Sequence, residues 1–532
     1  MKLYLSAWLE PLGKMNKVID VWHHIIEYLG PKDVMAVRAC NRTFYLRLPM
    51  NIRLKSYQIG HIIRLEEILQ RSYAYMDTSP KGAGKTFHAM FLAKRYNLAL
   101  MVVCQVNMIP KWERLTKLYQ VPLLEVISYQ SLRGTSTSQP KHRWLQRSSH
   151  GFSVTQEFGD AVEEGVLLIF DEVQNMRNDS QQFDAGYELA SYIFTSNSSS
   201  RVGLVSWTPC SSNEGAENMI KLLGLIKEPK LVEYDRPNRT WIPRGLYEVY
   251  EHAYEVDPVK ANEIYQFQGR SKKEAYEICY KLYTNVLIKS LASATPEFPL
   301  EVKKTVRNAF YPVSEAELET LELLIDKLAE VSHYDPVTQT TEYTQQTHGL
   351  LWKLLPQIEK QKASTFIRAA REVLDKNPKA KVVIFLNYLE AIDLVRNGLQ
   401  NYKPLVISGS VDRNLRDQYM QKFQAASAEY RVLITNPQTS GSGVDLDDIH
   451  GDFPRHAFIS PSYNFINLDQ ATGRVYRANT RSDVCINLVY IEGLEQEQRI
   501  LFSIQTKSEK ARGMLYNSEN VQFPGEYPIE RM

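Results

Sequence analysis

The stretch MDTSPKGAGKTFHAM, residues 76–90, ends a glycine-rich turn on Gly84-Lys85-Thr86. In such a turn backbone N–H groups approach phosphate oxygens, and the helix that follows offers its positive end. A lysine neutralises β/γ charge and a threonine hydroxyl holds Mg²⁺. Gly82, Ala83, Gly84, Lys85 and Thr86 are the residues placed to do this. The pattern GxxxxGK[ST] asks for glycine at 79, where the chain has Ser79, so the loop by itself leaves a plain structural turn open.

A second group lies in VLLIFDEVQN, where Asp171 and Glu172 follow an apolar strand. Adjacent carboxylates at a buried strand end are costly unless they serve a metal and a water. Asp171 would hold Mg²⁺ and Glu172 would orient or deprotonate an attacking water. A third group is LDQATGRVYRANT, residues 468–480, with Gln470 three residues before Gly473 and four before Arg474. Arg474 and Arg477 are spaced i, i+3, project to one side, and are long enough to reach a γ-phosphate.

These groups need rigid elements, and the chain supplies a rhythm of short apolar runs separated by polar or helical stretches. LALMVVC (98–104), LLEVISY (123–129), VLLIFDE (166–172) and RVGLVS (201–206) read as parallel strands buried on both faces. The rhythm returns in AKVVIFLNY (380–388), KPLVISG (403–409), YRVLITN (430–436), HAFIS (456–460) and VCINLVYIE (484–492). Between them, residues 236–370 read as a helical insertion and connector. Residues 1–50 hold a helical hairpin over 18–45 that turns at Gly30-Pro31. The expected organisation is thus 1–50 helical, 51–235 a first α/β domain, 236–370 helical, 371–510 a second α/β domain, and 511–532 a tail.

The bulk numbers fit several intracellular domains. The chain has 532 residues, 44% of them hydrophobic and 23% charged, with a net charge of +2, which carries no global signature of nucleic-acid binding. Its five cysteines contain no CxxC pair, which argues against a zinc site or a disulfide framework. No apolar run approaches the roughly 20 residues of a membrane-spanning helix, and the N-terminus does not read as a signal peptide.

Taken in order, the motifs resemble those of superfamily 2 helicases, nearest to Swi/Snf-type DNA translocases and their relatives in large DNA viruses. After the phosphate loop, MVVCQVNMIPKWERL resembles motif Ia, VISYQSLRG motif Ib, FDEVQNMRNDS motif II and LVSWTPCSSN motif III. VVIFLNYLEAID resembles motif IV, ISGSVDRNLRDQYMQKFQ the segment after it, LITNPQTSGSGVDLDD motif V and QATGRVYR motif VI. LKSYQ resembles an adenine-reading Q motif.

The resemblance implies two RecA-like parallel-sheet domains that hydrolyse ATP with Mg²⁺ in the cleft between them. Gln58 would read the base, Asp445 would lie near the ribose, and Gln470, Arg474 and Arg477 would join from the second domain. Lys111, Tyr129, Arg133 and Thr435 would lie on a strand-binding face that contacts phosphates, with duplex DNA favoured and RNA possible. Gln174 stands where the family has His or Asp; a hydrogen bond from it to Gln470 across the cleft is chemically possible, since each amide both donates and accepts. Trp207, bulky where the family has a small residue, either disturbs the coupling of hydrolysis to movement or fills the core.

Residues 18–45 resemble an F-box, which implies a Skp-type ubiquitin-ligase adaptor as partner; a helical cap on the first domain is the plainer reading. Two rivals to a DNA translocase follow: an RNA helicase or transcript-release factor, and an F-box adaptor whose ATPase has decayed.

Overall fold

The computed structural model describes residues 52, 54–134, 139–149, 151–296, 302–330, 332–335, 340–343, 348–409, 411–437, 445–517 and 521–532. The F-box-like stretch 18–45 lies outside them. The chain forms two compact units, Met1–Gly60 and His61–Met532; the two large sheets of the larger unit are parallel, and three two-stranded sheets beside them are antiparallel.

The first sheet has six strands: β1 (Ala74–Asp77), β2 (Ala99–Cys104), β3 (Leu123–Ser128), β4 (Val166–Asp171), β5 (Arg201–Val205) and β6 (Ala292–Ser293). Their order is β6-β1-β5-β4-β2-β3. Every residue of β4 is buried, as a strand covered by helices on both faces requires. At the carboxyl ends of β1 and β4, where parallel sheets bind ligands, lie the phosphate loop and the Asp171-Glu172 pair.

The second sheet has seven: β7 (Lys304–Tyr311), β8 (Lys381–Phe385), β9 (Leu405–Ile407), β10 (Val432–Thr435), β11 (Arg455–Ile459), β12 (Val484–Ile491) and β13 (Ile529–Arg531). They run in the order β9-β10-β8-β11-β12-β7-β13.

Two expected boundaries move. Residues 236–370 are more than a connector: β6 pairs with β1, and β7 pairs with β12 along its whole length. Helices of this stretch also fill the first core through Leu246, Val249, Cys279, Leu282 and Leu291. The tail is likewise structural, since β13 pairs with β7 and Phe523 and Tyr527 are buried in the second core. No helix among the described residues is long and apolar enough to cross a membrane.

Candidate active site

The loop between β1 and helix α1 (Lys85–Tyr96) is built from the strand end outward. Gly82 and Gly84 have φ of 78° and 100°, values that L side chains rarely adopt. Helix α1 starts after Gly84 with no side-chain cap, so its first N–H groups are left for an anion. Lys85 Nζ donates to the carbonyls of Ser79 at 2.8 Å and Pro80 at 3.2 Å. Burial pulls the Lys85 ammonium below its ordinary value, opposed by the charges of Glu172, Asp77 and Asp171.

Ser79 explains the missing glycine. Its φ is not positive, so no glycine is needed there, and its buried hydroxyl accepts the Thr295 N–H at 3.0 Å. Beneath it lies a buried network that the sequence reading missed. Asp77 Oδ1 accepts the Ser79 N–H at 2.9 Å; Oδ2 accepts His88 Nδ1 at 2.8 Å and His61 Nε2 at 3.2 Å. The other nitrogen of His61, Nδ1, lies 2.9 Å from the Ser293 hydroxyl on β6. These three side chains place ligand atoms within 4.8 Å of one another, close enough for a metal, yet the carboxylate is already satisfied by hydrogen bonds. The signal was present in the sequence: Asp77 ends the strand, and His88 is one helical turn past Lys85, which returns it to that strand end.

This network is acid-sensitive. Burial pulls His88 down to about 4, and the two imidazoles hold Asp77 well below the usual carboxylate range despite its burial. Between pH 6.5 and about 4 the unfolded chain protonates His88 and the folded chain does not, so stability falls as pH falls through that window. Urea unfolding followed against pH should show this decline, and His88→Gln should start less stable but lose less across the same window.

The acidic pair is held from several sides. Asp171 Oδ2 accepts the Trp112 indole N–H at 2.9 Å, and the Tyr129 hydroxyl donates to the Asp171 carbonyl at 3.0 Å. Burial, with the charge of Glu172 beside it, pushes the Asp171 carboxyl up to about 6, against the pull of Trp112. Glu172 sits at φ 58°, ψ 55°, a left-handed conformation unusual for this residue type. That turn is fixed by Asn175, whose backbone N–H and side-chain amide both donate to the Glu172 carbonyl.

Gln174 turns to Glu172 and Ser206, so the hydrogen bond to Gln470 that its amide would allow is not made. Its amide donates to Glu172 Oε2 at 2.5 Å, and its carbonyl accepts the Ser206 hydroxyl at 2.6 Å. A hydrogen-bonded chain therefore runs from the half-buried Glu172 through Gln174 to Ser206, next to Trp207. Trp207 packs on the second core, its ring 5.5 Å from the Phe523 ring.

The second sheet brings its own residues. Gln470 lies on helix α2 (Phe465–Thr472), and Arg474 follows directly after Gly473. Arg474 is 4% exposed, and burial together with Arg477 pulls it down to about 10. Arg477 Nε lies 3.1 Å from Asp445 Oδ1. One cleft of about 460 Å³ is lined by Gly82, Gly84, Lys85, Thr86, Asp171 and Glu172 from one side and Asp445, Gln470, Arg474 and Arg477 from the other. Ala83, between the two loop glycines, is buried. Gln58 belongs to the smaller unit, where its side-chain carbonyl accepts the Lys55 N–H at 2.8 Å.

The four expected nucleic-acid contacts separate. Tyr129 is buried and holds the end of β4, and Thr435 is buried in β10 between Phe385 and Ile407, so neither reaches a strand. Lys111 lines the same cleft, beside Asp171. Arg133 is exposed.

Residues 365–479 match the helicase conserved C-terminal domain. The chain is 23% identical over 464 residues to the Acanthamoeba polyphaga mimivirus protein named "Putative ATP-dependent RNA helicase L364", covering 86% of this chain and 82% of that one. Two solved structures of the Sulfolobus solfataricus SWI2/SNF2 ATPase core, one with double-stranded DNA, each share 15% identity at a TM-score of 0.30. They cover 91% and 90% of this chain, and 99% and 92% of theirs. Paired parallel sheets, a glycine-rich loop at the end of β1 and the matched C-terminal helicase domain indicate an ATP-hydrolysing enzyme of helicase type.

Proposed function

We propose that the protein couples ATP hydrolysis to translocation on, or remodelling of, double-stranded DNA. The observation that carries this reading is the meeting of Lys85, Thr86, Asp171 and Glu172 with Gln470, Arg474 and Arg477 on one cleft, each group from its own sheet. Water attacks the γ-phosphorus, the bond to the β–γ bridging oxygen breaks, and ADP and phosphate leave. Glu172 takes the proton of the water. Lys85 and the loop N–H groups hold the β/γ oxygens, and Arg474 and Arg477 meet the charge on the transferring group. Gln58 is assigned to the adenine and Asp445 to the ribose.

Thr86 and Asp171 are hard oxygen donors on one wall of the cleft and suit Mg²⁺. When bound, the ion neutralises phosphate charge. Because the arginines come from the second sheet, hydrolysis needs a closed cleft and product release opens it, so each turnover can advance the protein along a strand. Arg133 is the exposed residue assigned to phosphate contact.

Duplex DNA is favoured by the motif II stretch FDEVQNMRNDS, where the acidic pair precedes a basic-Asn-Asp-Ser run like that of the translocases. RNA is the second reading, favoured by the name of the mimivirus relative. ATPase rates with duplex DNA, single-stranded DNA and single-stranded RNA at one salt concentration separate them. Strongest stimulation by duplex DNA is expected; a clear preference for RNA would replace the translocase reading. Residues 18–45 are assigned to a Skp-type adaptor, and failure of the full chain to bind one in a pull-down removes that partner.

A further inference from the structure

Lys81 is a second lysine in the phosphate loop, and the mechanism above does not use it. Its ammonium pairs with the carboxylate of Asp469 and donates to the Asp469 carbonyl, so a residue of the first domain is seated in helix α2 of the second. The two side chains are 18% and 3% exposed. A Cβ at Gly473 would run into the aliphatic stem of Lys81, so this glycine makes room for the insertion. Close by, Trp207 packs on Phe523, and Lys81, Trp207, Lys304, Asp469, Gly473 and Tyr476 line a second cavity of about 240 Å³.

We propose that Lys81 is a positioning residue. It ties the phosphate loop to helix α2, and so sets Gln470, Arg474 and Arg477 over the phosphates held by Lys85, with Trp207 on Phe523 as a second point of docking. Asp469 immediately precedes Gln470 and lies five residues before Arg474, so a pull on it is a pull on the segment that carries the second domain's share of the cleft. A buried ion pair contributes little net attraction because desolvation offsets it, but losing one partner is costly. Such a pair fixes geometry when the cleft is closed and still lets it open.

The inference rests on the cleft being the ATP site, and its test has one arm that does not. In the full chain, Lys81→Met and Asp469→Asn should each lower kcat about tenfold and change the KM for ATP by less than about twofold. The double variant should be no slower than about the singles, because both substitutions remove one interaction. Small-angle scattering of the nucleotide-free protein should show a larger radius of gyration for each single variant.

A double variant slowed about a hundredfold, as independent effects would give, overturns the proposal, as does unchanged scattering in both singles. If the wild-type chain hydrolyses no ATP, the ATPase reading falls while scattering alone decides the latch. If Lys81→Met does not fold, Gly473→Ala displaces the lysine without deleting a charge. It should give the same kcat loss, and an unchanged kcat there also overturns the proposal.

Discussion

Glu172→Gln should lower ATP turnover by about 10³-fold, the range expected for loss of a general base, while leaving ATP binding close to wild type. The substitution keeps the shape of the side chain and removes its ability to take a proton. Its neighbours argue for a local effect. The left-handed backbone at 172 is fixed through the carbonyl, by Asn175, and that contact does not involve the carboxylate. Gln174 presents an amide to Glu172 Oε2, and the new side chain can meet it with its own carbonyl. Nucleotide binding measured with a fluorescent ATP analogue, beside steady-state turnover, checks both halves. Turnover near wild type would remove Glu172 from the role of base.

The strained turn at 172 also marks where the sequence could be read and where it could not. FDEV at the end of an apolar run identifies the acidic pair, because a strand such as Val166–Asp171, buried on both faces, has to be continuously apolar. That the glutamate is left-handed, and that Gln174 turns to Ser206 and not across the cleft, depends on which groups lie next to it in space. Tyr129 and Thr435 fail for the same reason. A hydroxyl near a motif suggests a surface contact, but the Tyr129 hydroxyl bonds to the Asp171 carbonyl and Thr435 is covered by neighbouring strands. Lys111, expected on the strand-binding face, instead lines the cleft that holds Lys85 and Asp171.

The fold shows the same division. Continuous apolar runs revealed most strands of both sheets. The short strands Ala292–Ser293 and Ile529–Arg531 have no pattern long enough to detect, and they exist because a neighbouring strand offers unpaired backbone groups. Lys304–Tyr311 begins exposed and ends buried, which reads as a connector until its partner strand is known. Ser79 is the reverse case. An apparent defect in a loop pattern is a side chain with a task, because the backbone at that position needs no glycine and the hydroxyl is bonded inward.

Lys85→Ala should abolish measurable turnover and weaken ATP binding, a loss of at least about 10²-fold as for removal of one oxyanion donor. The effect should exceed that of any other cation in the cleft. Lys81 is engaged with Asp469 and Arg477 with Asp445, while among the described residues the Lys85 ammonium donates to the carbonyls of Ser79 and Pro80, ordinary hydrogen bonds that a triphosphate can replace. Those carbonyls belong to a loop already fixed by Asp77, Ser79 and the glycine dihedrals, so the variant should keep its melting temperature within a few degrees of wild type. The contrast with Glu172→Gln is the informative part: one variant should bind ATP and fail to cleave it, and the other should fail at both. Should Lys85→Ala still hydrolyse ATP, the phosphate would have to be held by another cation, and Lys81 is the nearest candidate on the same loop.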